Sequence, residues 1–272
     1  MKIIVLMEDT WKDPAYRYEH GLSIYIETKR HRLLVDTGKT DAFFCNAKKH
    51  GIDLSKVDTV VLSHGHYDHG GGIMAFHKQN PKAGIYLQRT ACGSYYHGER
   101  YIGIDKGIAR LPQARLLEGD VQIDEELFLF SGITGRKYFA QSNLALSQRV
   151  EGKDMPDSFA HEQCLAIRQE EGILLVSGCA HNGILNILER YRELFPDGPA
   201  MVISGFHMMK KGEYSPEEQE VICATARELS KMDAIFYTGH CTGEEAFALM
   251  KPIMGEKLQR MYSGMQIMWD VR

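Results

Sequence analysis

No C-x-x-C pair occurs in this chain, although it holds six cysteines: Cys45, Cys92, Cys164, Cys179, Cys223 and Cys241. That scatter excludes a zinc ribbon or a dithiol redox motif. No apolar run approaches the roughly 20 residues that a membrane-spanning helix needs, so no membrane partner is expected. The apolar start, Ile3 to Met7, is too short for a signal-peptide core and runs at once into Glu8 and Asp9, so no secretory leader is expected. The thiols are therefore expected to be reduced and the protein cytoplasmic. No long Lys/Arg run is present, and the formal net charge is −4. Nucleic-acid binders usually carry a basic stripe, so none is expected as a partner. Low-complexity segments and short-period repeats are also lacking.

What is present is ordinary in bulk and unusual in detail. The 272 residues are 44% apolar and 25% charged, enough to bury a core without disulfides. Twelve histidines stand out, because several sit beside glycines at the ends of apolar runs. Scaffolds place working side chains at such strand-to-loop junctions.

Strands are predicted over Lys2 to Met7, Gly21 to Glu27, His31 to Asp36, Val57 to Leu62, Lys82 to Gln88 and Ala114 to Leu117. Further strands are predicted over Glu126 to Phe130, Cys164 to Gln169, Gly172 to Ser177, Ala200 to Ser204 and Ala234 to Thr238. Helical spacing marks Thr40 to His50, Ile73 to Gln79, Gly183 to Leu194, Pro216 to Lys231 and Thr242 to Met250. Ser215 is a natural N-cap before Pro216, with acidic residues in the first turn. Thr90 to Arg110, rich in Gly, Tyr and Arg, reads as an excursion over a site, which Tyr101 or Arg110 would join. The order strand, glycine, histidine, helix recurs at His64, His181 and His240, and more weakly at His207. Side chains at strand ends converge on one edge of a sheet, which is how such distant histidines can meet.

The central signal is Ser63-His64-Gly65-His66-Tyr67-Asp68-His69-Gly70-Gly71-Gly72, an H-x-H-x-D-H loop after an apolar strand and before a helix. Two histidines at i and i+2 can turn toward one ion, and Asp68 and His69 toward a second. Zinc accepts imidazole nitrogen and carboxylate oxygen readily. The glycines let the backbone pass close by. A purely structural polar turn would use Gly, Pro, Asn, Asp and Ser instead.

This motif resembles the signature of the metallo-β-lactamase superfamily. Leu33-Leu34-Val35-Asp36-Thr37-Gly38 is similar to that family's first motif, whose Asp supports the metal loop, and Val60-Val61-Leu62-Ser63-His64 to its entry strand. Glu19 to Ser23, Ser177 to Gly183, Gly205-Phe206-His207 and Gly239 to Gly243 resemble a subgroup labelled dihydropterin-ribofuranosylaminobenzene-phosphate synthase-like. The resemblance implies one domain over residues 1–272, a four-layer αββα sandwich of the α/β class. It also implies a metallo-hydrolase with two divalent metal ions, zinc first and manganese or iron as alternatives. A pterin-related pathway is implied by the subgroup label. Where many members place a bridging Asp, this chain has Gly178-Cys179, with His181 two residues on.

His64, His66 and His181 are the expected ligands of the first ion, and Asp68, His69 and His240 of the second. His161, before the strand Cys164 to Gln169, is the rival of His181. Cys179 is a candidate thiolate ligand or a small buried hydrophobe. His20 and His207 are expected to line the pocket, His207 as a proton donor or as a residue that orients ligands. His31, His50, His77 and His97 read as surface residues.

Two divalent ions lower the pKa of a shared water so that hydroxide exists near neutral pH, and Asp68 can hold it in line. The expected substrate is a small ester, phosphoester or lactone. A di-iron redox site on the same fold would need a more oxygen-rich ligand set, and His66 stands against it. A non-catalytic ligand-sensing module is the remaining alternative, since fold does not fix function. A homodimer is compatible with the sequence.

Overall fold

Strand Lys2–Met7 is buried almost end to end, and its alternate side chains go to opposite faces. Ile3 and Val5 join one apolar cluster; Ile4 and Leu6 join another. The same parity divides Leu33 and Val35 from Leu34, and Leu174 and Val176 from Leu175. Strands apolar on both sides must be covered on both sides, which requires layers.

The computed structural model describes residues 1–269. Among them, a seven-stranded sheet runs in the order Gln266–Met268, Lys2–Met7, Ser23–Glu27, Arg32–Val35, Thr59–Val61, Gly84–Gln88, Ala114–Leu117. A second seven-stranded sheet runs Leu258–Arg260, Ile235–Thr238, Met201–Ile203, Gly172–Val176, Cys164–Gln169, Leu127–Phe130, Val121–Gln122. Their facing sides meet through Ile3, Val5, Leu33 and Val61 of the first and Leu129, Leu165, Leu174 and Ile203 of the second. Helices Phe43–Lys49 and Ile73–Gln79 cover the outside of the first sheet through Phe43, Ile73 and Phe76. Helices Ile184–Leu194, Pro216–Ser230 and Glu244–Met254 cover the second through Ile187, Tyr191, Leu229 and Met250. The expected αββα sandwich is the observed architecture.

Local chemistry sets the ends of these elements. Ser215 caps helix Pro216–Ser230 in a full capping box with Glu218, which satisfies two otherwise orphaned N–H groups. The helix expected from Thr40 begins only at Phe43, and that expected over Thr242 to Met250 starts at Glu244 and runs on to Met254.

The region Thr90 to Arg110 is more ordered than an excursion. It holds strands Tyr95–His97 and Arg100–Tyr101, which join a hairpin of Leu146–Val150 and Lys153–Pro156 in a small third sheet. Tyr67 N–H donates to Ile102 O at 2.8 Å, so this sheet lies against the histidine-rich loop. Its strands are short and mixed in polarity, and carry no clear period. His31 is not a simple surface residue: its two ring nitrogens meet Asp58 at 3.1 Å and Asp124 at 2.6 Å.

Candidate metal centre

The parallel strands Arg32–Val35, Thr59–Val61, Gly172–Val176, Met201–Ile203 and Ile235–Thr238 each end near the functional residues. Asp36 follows the first of them and adopts φ +58°, a left-handed conformation that Asp tolerates better than most residues. Its buried carboxylate accepts Ser63 N–H on Oδ1 and Ser63 Oγ–H on Oδ2, both at 2.7 Å. Oδ2 also lies 2.7 Å from His69 Nδ1. A carboxylate only accepts, so His69 carries its proton on Nδ1 and turns a bare Nε2 inward. Ser63 Oγ, its own proton given to Asp36, accepts from His64 Nδ1 at 2.9 Å. His64 Nε2 is thereby left bare as well. No room is left at Gly178, where a Cβ would lie 2.2 Å from Ser63 Oγ.

The second half of the chain supplies matching groups. His181 Nδ1 donates to Asn143 Oδ1 at 3.0 Å, and His181 N–H donates to Glu162 Oε1 at 2.7 Å. His181 Nε2 then faces His64 Nε2 at 3.3 Å. His240 Nδ1 lies 2.6 Å from Asp9 Oδ1, and its Nε2 lies 3.2 Å from His69 Nε2 and 3.4 Å from Asp68 Oδ2. Cys179 Sγ is 3.1 Å from His69 Nε2 and within 4.8 Å of the His64, His181 and His240 nitrogens. The rings of His64, His66 and His181 stand 4.6–4.8 Å apart, centroid to centroid.

These residues fit a metal. Tetrahedral zinc with Zn–N bonds of about 2.05 Å sets its ligand nitrogens about 3.3 Å apart. Two bare imidazole lone pairs at that separation repel unless a cation or a proton lies between them. His66 Nε2 is buried with no hydrogen-bond partner. The donor set, mostly imidazole with one carboxylate and one thiol, suits a borderline cation such as zinc.

Electrostatics divide the site in two. Burial, with the neighbouring histidines, holds His64 and His181 well below the ordinary imidazole range. Burial pushes His66 down to about 4, against the opposing pull of the Asp157 carboxylate, whose Oδ2 lies 3.8 Å from its Nε2. All three rings are therefore neutral at neutral pH and able to offer a lone pair. Burial tends to raise Asp68, but the hydrogen bond and charge of His240 hold it below the usual carboxylate range. Burial likewise works against protonation of His240, and Asp9 and Asp68 overcome it and raise the ring well above its ordinary value.

His161 lies with His66 and Asp157 in a further potential ligand group. Its Nδ1 accepts Gly65 N–H at 3.0 Å, and its Nε2 lies 3.1 Å from Asp157 Oδ2. Both its nitrogens are thus engaged with the protein, whereas His181 keeps Nε2 free toward His64. His20 sits at the mouth, half in solvent, bonded to Asp9 at 2.8 Å and 3.4 Å from Asp68 Oδ2. His207 adopts φ +48°, has no hydrogen bond to either ring nitrogen, and lies 4.0 Å from the His181 ring. Tyr101 hydrogen-bonds Ile104 O at 3.0 Å, and Arg110 ends a short 3-10 turn, Lys106–Arg110. Neither meets the donor cluster.

Sequence reasoning missed the residues that orient the histidines: Asp9, Asn143, Asp157 and Glu162. Only Asp9 carried a readable signal, since it follows the buried strand Lys2–Met7 at the same sheet edge. Asn143 lies in a short 3-10 turn, Gln141–Ala145, and Asp157 and Glu162 in loops, none of which any periodicity reveals. Cys241 was also passed over, although it lies with Cys179 and His207 in one potential ligand group.

A layered sandwich with such a donor cluster at its strand ends is the architecture of a metallo-hydrolase. A sequence profile described as the metallo-beta-lactamase superfamily matches residues 17–135. The chain belongs to that superfamily. It is 32% identical to the solved structure of Tm1679, described as a metal-dependent hydrolase of the beta-lactamase superfamily, with 98% of each chain covered and a TM-score of 0.82. It is 26% identical to the 7,8-dihydropterin-6-methyl-4-(beta-D-ribofuranosyl)-aminobenzene-5'-phosphate synthase of Methanocaldococcus jannaschii, over 97% of this chain and 95% of that one. The metallo-beta-lactamase fold protein YhfI from Bacillus subtilis shares the fold, at 11% identity, a TM-score of 0.58 and 98% coverage of both chains.

Proposed function

We propose that this metal-dependent hydrolase works through a two-metal centre and cleaves a small ester, phosphoester or lactone. His64, His66 and His181 would hold one ion; Asp68, His69 and His240 would hold the other. The observation that carries this reading is the pair of inward-facing nitrogen contacts, His64 to His181 at 3.3 Å and His69 to His240 at 3.2 Å. Each of these four rings is fixed from behind by a hydrogen bond on Nδ1, and such anchoring sustains metal affinity. Zinc is the favoured ion, with manganese or iron as alternatives. When bound, the pair would supply a water of lowered pKa and positive charge against the transition state.

The chain's own groups then have definite tasks. Asp68 stays ionised and orients the attacking water through its free acceptor positions. Water adds to the carbonyl or phosphorus and gives up its first proton to solvent, the bond to the leaving oxygen breaks, and His207 hands that oxygen a proton and regains one from solvent. The second proton of the water leaves with the acid product. His20, bonded to Asp9 beside Asp68, closes the mouth of the site. A link to a pterin-related pathway rests only on the name of the Methanocaldococcus jannaschii relative.

Elemental analysis after reconstitution should give close to two equivalents per chain, alongside turnover of at least one of the three ester classes. One equivalent at saturation refutes the binuclear reading. Two equivalents without turnover on any class would return the ligand-sensing alternative.

A further inference from the structure

A cavity of about 500 Å³ opens beside His207. That volume falls within the range of small-molecule sites. Its walls come from helices Ile184–Leu194 and Pro216–Ser230 and from the loop before the small sheet, which present Leu185, Val221, Ile222 and Phe139. The charged groups on it cancel. Lys137 and Lys210 face Glu217 and Glu218, and Lys210 Nζ already donates to Glu218 Oε2 at 2.6 Å. Such a wall gives no net positive field to attract a polyanion. It suits an apolar body that gains by leaving water.

At the end of this cavity stands His207, whose ring also lies within reach of the Cys179 and Cys241 thiols. His207 holds a left-handed backbone conformation, φ +48°, which a side chain with a Cβ adopts at a cost. Both its ring nitrogens are buried and unpartnered. Buried polar groups in native proteins are rarely left so, and strain of this kind gathers where ligands bind. The ring also touches the metal-ligand cluster, 4.0 Å from His181. His207 therefore joins the cavity to the reactive centre.

We propose that this cavity is the subsite for an uncharged apolar portion of the substrate, an aromatic or acyl group borne by a carboxylic ester or lactone, with His207 at the junction to the scissile bond. The assignment rests on the hydrolytic reading above, and it narrows that reading toward carbonyl esters. A phosphorylated compound, such as the product named for the Methanocaldococcus jannaschii relative, is the competing class.

The test uses the zinc-loaded full-length protein and a series of acyl esters of one alcohol, from acetyl to octanoyl and benzoyl. Octanoyl and benzoyl should exceed acetyl by about tenfold or more in kcat/KM, since each buried methylene adds to binding. Val221→Trp and Leu185→Trp fill the cavity from two different helices, at positions only partly buried. Each should remove about tenfold for octanoyl while leaving acetyl within about threefold. A binding readout accompanies turnover: octanoate should raise the melting temperature of the wild type and not of either tryptophan variant, and acetate should do so in none. A flat ester series with robust turnover overturns the subsite and leaves the hydrolase reading standing. An octanoate shift unchanged in both variants overturns it too. An octanoate shift lost in both variants, with no ester cleaved, supports the subsite and refutes the hydrolytic reading. Faster turnover of phosphate esters than of every acyl ester overturns the inference in favour of the phosphorylated class.

Discussion

Replacing Asp36 by Asn changes one atom and should disable a proposed ligand of each of the two proposed ions. Asp36 Oδ2 receives both His69 Nδ1 and Ser63 Oγ at 2.7 Å. An amide can keep the Ser63 N–H bond on its oxygen, and Asn tolerates φ +58°. Its NH2 group then stands where Oδ2 stood and donates in both directions. His69 must accept on Nδ1 and carry its proton on Nε2, where it can no longer ligate. Ser63 Oγ, now an acceptor from the introduced amide, turns its own proton to His64 Nδ1, and His64 Nε2 is closed in the same way. Exchanging charge-assisted for neutral hydrogen bonds costs about 1–3 kcal/mol of stability. Loss of an orienting group alone lowers metal affinity by about 10–100-fold, and the reversed tautomers should place Asp36→Asn at or beyond the upper end. Asp36→Ala is the contrast: it leaves Ser63 and His69 donors unpaired in the interior, at about 1–3 kcal/mol for each. Chelator competition reads the affinity, urea unfolding of the metal-free protein reads the stability, and nitrogen NMR of labelled histidines reads the tautomers. Wild-type affinity in Asp36→Asn, or unchanged tautomers at His64 and His69, would refute the reasoning.

Asp68→Asn should lose hydrolysis by about 100-fold or more while far-UV circular dichroism stays native, because the residue sits on the one-turn helix Tyr67–Gly70, outside the apolar clusters, and the amide keeps its size; retained turnover with both metals bound would remove that carboxylate from the mechanism. Gly178→Ala should cost about 1–3 kcal/mol, since its Cβ would lie 2.2 Å from Ser63 Oγ and 3.2 Å from His64 Nδ1; a neutral effect in denaturant unfolding would contradict the packing. The metal-free protein should weaken in mild acid. His66 titrates near 4 when folded against an ordinary 6.5, so the unfolded chain takes up its proton first as the pH drops. The stability from this group is complete above pH 6.5 and falls by up to about 3 kcal/mol on descent through pH 4. His20 and His240 are shifted upward, so their changes fall above this window and do not offset it. Equal urea midpoints at pH 6.5 and 4.5 would refute this account.

The layers of the fold were legible because period and burial agree. Strands such as Lys2–Met7, Cys164–Gln169 and Gly172–Val176 are apolar on both faces and end in turn residues, and the capped helix after Ser215 is written in its first four residues. The histidines at 64, 181 and 240 were legible because each follows such a strand. What escaped had no local signature. Strand Lys153–Pro156 is exposed throughout, so nothing in its polarity marks it as a strand. Strand Gln266–Met268 gains its place only by pairing with Lys2–Met7, where Met268 lies opposite Lys2 from the far end of the chain. Asn143 and Glu162 act by direction, and direction belongs to tertiary structure. His161 and His181 differ likewise only in direction: both are buried, and the hydrogen bonds at their ring nitrogens are what distinguish them.

The contacts at the centre join residues remote along the chain: His64 to His181 across 117 positions, His69 to His240 across 171, and Asp9 to His240 across 231. Loops of that length close late, after the sheets that carry their ends have formed and docked. An ion held there acts as a clasp between the two halves of the molecule. It has nothing complete to bind in the folding transition state, so its whole stabilisation falls on the native side of the barrier. Metal should therefore leave the refolding rate nearly unchanged and slow unfolding in proportion to its occupancy. The lifetime of the folded chain, and with it resistance to proteases, would then follow the supply of metal more than the quality of the core.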